Sequence, residues 1–339
     1  MGSMLNILRG RPLFAQYAIT HRCNSRCSGC EYWHKQAQRK ELTFEEVSRL
    51  ADELWHFGIR ILTVTGGEPF LRDDAPEIIR LFQKRGFRVT INTNGTCIDK
   101  ALVEELSRME RLHIVISLDS LDRGVYARIR GIDALDAVLM AMSILKHHTP
   151  HSIRAFTIVS SDNYGEVPQI LRFCHEKGYA LSVYPVMTST RGQWFTRNKL
   201  IPLEGRGQIA KVFDGLSELS KRDRTLFGFS EVYRGAASFL RGEPQGECGA
   251  GKRVLQISPE GTISACPEMA PFCDIREEHL SDAYGRKQWV DEVKRCSTQT
   301  QCYIGCTRML QSINDSPFRF LAESGYRGLI GIRHPRTKG

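Results

Sequence analysis

The sequence predicts an α/β protein, a partial (β/α)6, TIM-like barrel with a small cysteine-rich domain behind it. Three observations carry the prediction. From residue 14 to about 190, short β-branched and apolar runs alternate with amphipathic helical stretches. Most of the runs are too continuously apolar for half-exposed antiparallel strands, so a parallel sheet covered by helices fits them. Beyond that point the alternation stops and cysteines gather again from Cys248 onward.

Strands are expected at Phe14 to Thr20, Ile59 to Val64, Phe87 to Asn92, Leu112 to Ser117, Ile153 to Val159 and Tyr179 to Pro185. The first helix shows how the intervening segments are recognised. Thr43 caps it, Glu46 three residues on completes a capping box, and Val47, Leu50, Ala51 and Leu54 share one face before Gly58 ends it. Similar helices are expected at about 74–85, 99–109, 122–130 with 133–147, and 164–177. Six strands joined by right-handed crossovers make a curved open sheet, whose ligands gather at the carboxyl ends of the strands. A helix over 206–221 lies in a connector, and "VLQISPEGTISAC" (254–266) reads as a hairpin turning at Pro259-Glu260-Gly261. The expected division is an N-terminal tag and lead-in over 1–13, the barrel over 14–200, a helical connector over 201–247, the cysteine-rich domain over 248–312 and a tail over 313–339.

Composition narrows the class. The 339 residues are 41% hydrophobic and 25% charged, an ordinary globular balance. No apolar run reaches the length of a membrane span and no signal peptide is visible, so a cytoplasmic protein is expected. Eleven cysteines, an odd number in a large leaderless chain, read as metal ligands rather than disulfides. The net charge of +9 could serve a polyanionic partner, but the basic residues cluster only at 221–224 and in the tail. A solvated basic surface explains them, and no RNA-binding module is recognisable, so a nucleic-acid partner is not expected.

The chemistry begins at "THRCNSRCSGCEYW" (20–33), where Cys23, Cys27 and Cys30 supply three soft thiolates in one loop after the first strand. Such a set suits an iron–sulfur cluster; three cysteines on a four-iron cluster leave one iron open. A zinc site is the competing reading, though structural zinc wants four protein ligands. The spacing resembles that of the radical S-adenosylmethionine (SAM) superfamily. So do "TGGEPFLR" (65–72), "NTNGT" (92–96), "ISLDS" (116–120) and "RIRG" (128–131), in order along the chain. The resemblance implies a 4Fe-4S cluster on Cys23, Cys27 and Cys30 whose open iron chelates S-adenosyl-L-methionine. It also implies one-electron cleavage to a 5′-deoxyadenosyl radical that takes a hydrogen atom from substrate. By the same resemblance, Thr65, Gly66, Gly67 and Glu68 would meet the methionine amino group. Ser117 and Arg130 would hold its carboxylate, with Asn94 and Asp119 near the cofactor or substrate. Residue types agree: glycines permit close backbone approach, a carboxylate complements an ammonium, and a guanidinium suits a carboxylate. The resembled family usually carries an aromatic residue where this chain has Gly29; either glycine serves a mainly backbone contact to adenine there, or Tyr32 or Trp33 supplies the ring.

The later cysteines resemble the auxiliary-cluster region called SPASM in its shorter, twitch-type form, because two of the usual cysteines are absent. The resemblance implies one auxiliary 4Fe-4S cluster on Cys248, Cys266, Cys302 and Cys306, with Cys296 the competitor for a ligand position. Cys97, Cys174 and Cys273 are expected to be bystanders, buried small hydrophobes in the first two cases. His21 precedes the triplet and is expected to be structural or exposed, with cofactor contact as the alternative. Auxiliary-cluster relatives are rich in enzymes that modify a peptide or protein, which makes such a substrate the leading expectation. The alternatives are a small metabolite such as an amino sugar, tetrapyrrole or lipid, and an RNA. Trp194, Phe195, Phe227 and Phe229 leave room for an apolar substrate, although core packing explains such residues more often. A reductant such as flavodoxin or ferredoxin is implied as electron donor.

Overall fold

The computed structural model of the chain describes residues 11–34, 39–110, 112–186, 203–244, 248–297 and 303. Six parallel strands form the barrel wall: β1 (Phe14–Ala18), β2 (Ile61–Thr65), β3 (Arg88–Thr93), β4 (Leu112–Ser117), β5 (Ser152–Val159) and β6 (Ala180–Pro185). Between them run α1 (Phe44–Phe57), α2 (Ala75–Lys84), α3 (Lys100–Ser107), α4 (Arg123–Arg130), α5 (Leu135–His148) and α6 (Val167–Lys177). The sheet is open, with β6 towards one end of the strand order, so the barrel is partial as the sequence predicts.

The helices begin and end where local chemistry dictates. In α1 the Thr43 side chain accepts from the Glu46 amide while the Glu46 carboxylate accepts from Thr43, and Gly58 closes the helix at φ 105°. Asp99 and Asp122 cap α3 and α4 in the same manner. Val47, Leu50, Ala51, Leu54 and Phe57 bury one face of α1 completely or nearly so.

The strands depart from the expected continuous apolar runs. Along β2, β3 and β5, buried residues alternate with half-buried ones. The buried set, such as Val89, Ile91, Ala155 and Val159, joins the hydrophobic core that the helices share. The other set is in register across the sheet and forms an inner face: Thr63 beside Thr90, Asn92 beside Val115, Ser117 beside Phe156. Polar residues such as Thr63, Thr90, Asn92 and Ser117 can stand on that face because the space it borders is not core.

After β6, residues 225–227 lie along its free edge, with Leu181 N–H on the Thr225 carbonyl and Phe227 N–H on the Leu181 carbonyl, both at 2.7 Å. Helix α7 (Leu203–Leu219) fulfils the expected connector helix, and α8 (Ser230–Leu240) packs beside it. Sequence reasoning missed α8, although Val232, Tyr233, Ala236, Ala237 and Leu240 form a helical stripe, all buried.

The expected hairpin is present as antiparallel β7 (Val254–Ile257) and β8 (Thr262–Ser264), extended by the two-residue β9 (Cys273–Asp274). Its first strand also pairs in parallel with β1, Phe14 beside Val254 and Tyr17 beside Ile257. The hairpin is thereby part of one nine-stranded sheet, in the order β6-β5-β4-β3-β2-β1-β7-β8-β9. Short helices α9 (Leu280–Ala283) and α10 (Lys287–Ser297) follow. Among the described residues, no helix is long and apolar enough to cross a membrane. Phe229 is fully buried and Phe227 lies under the Arg154 guanidinium, while Trp194 and Phe195 fall outside the described residues.

Candidate functional site

The cysteine loop leaves the carboxyl end of β1 and is held from three sides. The first is the end of β2. Ile19 N–H bonds the Thr65 carbonyl at 2.9 Å, Gly67 N–H the Thr20 carbonyl at 2.9 Å, and Glu68 N–H the Arg22 carbonyl at 2.8 Å. This approach leaves no room for side chains. A Cβ on Gly67 would stand 2.1 Å from the Arg22 carbonyl oxygen and 2.9 Å from Cys23 Cβ, and one on Gly66, at φ 138°, would stand 2.5 Å from the Thr20 oxygen. Arg72 completes this side, donating to the carbonyls of Ile19 at 2.8 Å and Leu42 at 2.7 Å while paired with Asp74.

The second side is the end of β3. Glu68 is fully buried, and its carboxylate accepts from Asn94 N–H at 2.6 Å, Thr93 Oγ1 at 2.8 Å and Phe70 N–H at 3.2 Å. Burial raises this carboxyl to about 7 against the pull of those three donors. Asn94 in turn donates to Asn24 Oδ1 at 2.7 Å and Ser25 Oγ at 3.1 Å, inside the cysteine loop.

The third side is the end of α4. Arg26 N–H bonds the Arg130 carbonyl at 3.1 Å and Ser28 N–H the Ile129 carbonyl at 2.9 Å, where Gly131 takes φ 64°. Arg130 Nη1 lies 3.8 Å from Cys27 Sγ, and its Nε lies 2.6 Å from Asp119 Oδ2. Asp119 is buried and its other oxygen accepts from Ile158 N–H at 2.7 Å. Burial lifts the Asp119 carboxyl, opposed by the Arg130 charge, which itself is held firmly protonated.

Within the loop, backbone amides point at sulfur: Ser25 N–H at Cys23 Sγ and Tyr32 N–H at Cys30 Sγ, both at 3.4 Å. Burial raises the Cys23 thiol and pushes Cys30 up to about 11, the Tyr32 amide opposing and the Cys27 and Cys23 sulfurs adding to the rise. Three sulfurs in one loop that receive N–H and guanidinium donors fit the thiolate ligands of an iron–sulfur cluster.

Most of the predicted cofactor residues are brought together here, but largely around the cysteine loop. Gly66, Gly67, Glu68, Asn94 and Arg130 each hold or closely approach that loop, and Asp119 holds Arg130. Thr65 and Ser117 stand half-buried at the ends of β2 and β4. Tyr32 is buried beneath His21, their rings stacked at 5.3 Å, and Trp33 is half-buried with the Arg26 guanidinium 5.0 Å from its ring.

His21 has a partner that sequence reasoning missed. Its Nε2 lies 2.5 Å from Glu260 Oε1, in the turn of the β7–β8 hairpin, and Leu42 N–H bonds the Pro259 carbonyl at 2.7 Å. Glu41 accepts from Thr20 Oγ1 and His21 N–H, each at 2.8 Å. Glu260 stood in the quoted turn motif, but nothing local marks it as reaching the cysteine loop.

Of the second cysteine set, Cys248 is half-buried before β7 and Cys266 is buried just after β8. Cys302, Cys306 and the Cys296 side chain lie outside the described residues. Cys174 is buried, as expected of a small hydrophobe, whereas Cys97 is only half-buried; Cys273 is buried on β9.

Residues 17–174 match the model of the radical SAM superfamily. A probable GTP 3′,8-cyclase of Thermococcus kodakarensis is 33% identical over 180 residues, which is 51% of this chain and 57% of the cyclase. The chain thus spans little more than half of that relative. The mycofactocin maturase MftC of Mycolicibacterium smegmatis is 26% identical over 283 residues, 82% of this chain and 70% of the maturase. Among solved structures, Streptococcus suis SuiB bound to its precursor peptide SuiA superposes with a TM-score of 0.67 at 16% identity, covering 90% of this chain and 74% of SuiB. At that identity the likeness is one of fold.

Proposed function

Because residues 17–174 form a radical SAM domain, we propose that the protein is a radical SAM enzyme that modifies a peptide or protein side chain. The observation that carries the chemistry is the three-sided anchoring of the Cys23, Cys27 and Cys30 loop at the strand ends. Those thiols would hold a 4Fe-4S cluster. When bound, the cluster supplies the electron that splits S-adenosyl-L-methionine, whose adenosyl radical takes a hydrogen atom from substrate. The chain's own groups do the positioning. Arg130 and the Ser25 and Tyr32 amides place positive charge and N–H dipoles on the sulfurs, which sets their electron density. Glu68 and Asn94 fix the spacing between the loop and the ends of β2 and β3, where Thr65, Gly66 and Gly67 present backbone to the cofactor. Ser117 and the inner face of the sheet would border the space for substrate.

The peptide substrate is supported by the maturase likeness, which covers 82% of the chain and so extends well past the domain match, and by the shared fold of the peptide-bound SuiB. Cys248, Cys266, Cys302 and Cys306 would hold one auxiliary cluster, and a flavodoxin or ferredoxin would deliver the electron. The second reading, a small metabolite substrate, is favoured by the cyclase likeness, which is higher in identity but covers half the chain.

Anaerobic reconstitution tests this. About eight irons per chain are expected from two clusters; four irons, or bound zinc, would remove the auxiliary cluster from the scheme. Replacing Cys23, Cys27 and Cys30 with alanine should abolish cleavage of S-adenosyl-L-methionine by dithionite-reduced protein, while Cys302→Ala with Cys306→Ala should spare much of it. Full cleavage by the triple variant would refute the assignment.

A further inference from the structure

The cysteine loop has a further attachment, and it comes from the β7–β8 hairpin. His21, two residues before Cys23, places its Nε2 2.5 Å from Glu260 Oε1, and both side chains are nearly enclosed, at 12% and 13% exposure. A carboxylate only accepts, so Nε2 carries the proton and donates it. This contact fixes the edge of the His21 ring, and Tyr32 fixes its face, the two rings stacked at 23° with centroids 5.3 Å apart. The His21 backbone is held separately, by its N–H on Glu41. Tyr32 is 2% exposed, and its amide points at Cys30 Sγ at 3.4 Å. A chain of direct contacts thus runs from the hairpin turn through His21 and Tyr32 to the third cysteine.

The pair is not needed to hold the hairpin in place. β7 pairs with β1 from Val254 to Ile257, Leu42 N–H bonds the Pro259 carbonyl at 2.7 Å, and Arg276 spans the Glu260 carbonyl at 3.1 Å and the Glu46 carboxylate at 2.6 Å. The turn itself is closed by Ser258 N–H on the Thr262 carbonyl at 2.9 Å. Glu260 therefore projects from a rigid base, and that base stands without its carboxylate. What the carboxylate does control is the tilt of the His21 ring, and through it the seat of Tyr32. We infer that Glu260 is a positioning residue for the cluster on the Cys23, Cys27 and Cys30 loop: through His21 and Tyr32 it fixes the N–H dipole aimed at Cys30 Sγ. The inference rests on the reading of that loop as the holder of a 4Fe-4S cluster.

The three sulfurs are each tended from a different part of the fold. Cys23 receives the Ser25 amide, and Ser25 is tied to the end of β3 through Asn94 at 3.1 Å. Cys27 receives Arg130 from the end of α4. Cys30 receives the Tyr32 amide, which belongs to a helical turn of only three residues, Tyr32–His34, so its placement follows the packing of the Tyr32 ring. The hairpin thereby governs the third sulfur. An N–H dipole on a ligand sulfur stabilises the extra electron of a reduced cluster, so a lengthened contact lowers the reduction potential.

The test is a redox titration of reconstituted protein followed by electron paramagnetic resonance, read on the signal that shifts when S-adenosyl-L-methionine is added. Glu260→Ala should keep its iron and its urea midpoint close to wild type, because the thiols and the hairpin's other bonds are untouched. It should lower the one-electron reduction equilibrium threefold to tenfold, about 30–60 mV. His21→Phe keeps the stack and loses the donor, so it should match Glu260→Ala, and the double variant should be no worse than either single one. Glu260→Gln retains an acceptor oxygen and should recover most of the shift. Glu53→Ala is the structural control. It breaks another staple between α1 and the chain beyond the hairpin, on His279 Nδ1 at 2.5 Å and Leu280 N–H at 3.2 Å, and should leave the potential unchanged. A wild-type potential in Glu260→Ala and His21→Phe, an additive double variant, or an equal shift from Glu53→Ala would overturn the positioning role and leave the cluster assignment standing. No such signal in wild type, or one that survives replacement of Cys23, Cys27 and Cys30 with alanine, would overturn the cluster assignment and this role with it.

Discussion

Gly67→Ala should detach the cysteine loop from β2 while leaving the barrel folded. The added Cβ would stand 2.1 Å from the Arg22 oxygen, where ordinary contact begins near 3.4 Å, so one partner must retreat by about 1.3 Å. Neither can yield by rotating a side chain, because both are backbone. A retreat of that size lengthens the Gly67–Thr20 and Glu68–Arg22 hydrogen bonds, now 2.9 and 2.8 Å, beyond bonding distance. Two lost bonds at about 0.5–1.5 kcal/mol each, with overpacking of about 1–3 kcal/mol, put the local cost at roughly 2–6 kcal/mol. The φ of Gly67 is not left-handed, so the cost is steric rather than conformational. Gly165→Ala is the control, since its Cβ would meet nothing within 4 Å. Urea unfolding, iron content after reconstitution and affinity for S-adenosyl-L-methionine are measured together. The loss expected is in cluster content and affinity, by tenfold or more, with a modest shift of the unfolding midpoint. A Gly67→Ala protein that binds cluster and cofactor within twofold of wild type would refute the close-approach account.

Other expectations concern the buried charges. Glu68→Gln puts an amide N–H2 against one of three donors, costing about 1–3 kcal/mol and weakening cofactor affinity, which calorimetry of the reconstituted protein would read. Asp119→Asn leaves Arg130 buried without its counter-charge and should cost about 3–5 kcal/mol in urea unfolding, with Asp119→Asn/Arg130→Met recovering part of it; an unchanged single variant would show the pair to be idle. Arg276 holds the Glu46 carboxyl down to about 2, against roughly 4.3 in an unfolded chain, so the unfolded chain binds that proton more tightly. The stability this pair adds is complete above about pH 4.3 and disappears as pH falls towards 2. After solvent screening it amounts to about 1–2 kcal/mol, and Arg276→Met should remove that acid-limb slope.

What was legible in the sequence is what local pattern can encode. The Thr43–Glu46 capping box, the Gly58 helix end and the six strand runs depend on residues a few places apart, and they stand where expected. The cysteine triplet and the motifs at 65–72, 92–96 and 116–120 were legible too, because their order maps onto the ends of β1 to β4, with 128–131 closing the helix that follows. The partners were not. Nothing near Val254 marks it as a neighbour of Phe14, since parallel pairing between distant segments leaves no turn signal. The same holds for Glu260 on His21 and Arg72 on the Ile19 carbonyl, whose roles exist only once the sheet is assembled. The alternation along β3 and β5 was obscured because apolar residues such as Phe156 occupy both faces.

The motif residues are engaged with one another and with the cysteine loop. A carboxylate that already accepts three hydrogen bonds, as Glu68 does, has little left to offer an ammonium, and its carboxyl, raised to about 7, is not fully ionised near neutrality. Its three donors tie it to the end of β3 and to Phe70, just beyond Gly66 and Gly67. Arg130 follows the same logic. Engaged with Asp119 and reaching Cys27 Sγ, it ties the charge on the sulfurs to a buried carboxylate that β5 itself holds through the Ile158 amide. A change on β5 that moves Ile158 therefore reaches Cys27 through three contacts, Ile158–Asp119, Asp119–Arg130 and Arg130–Cys27.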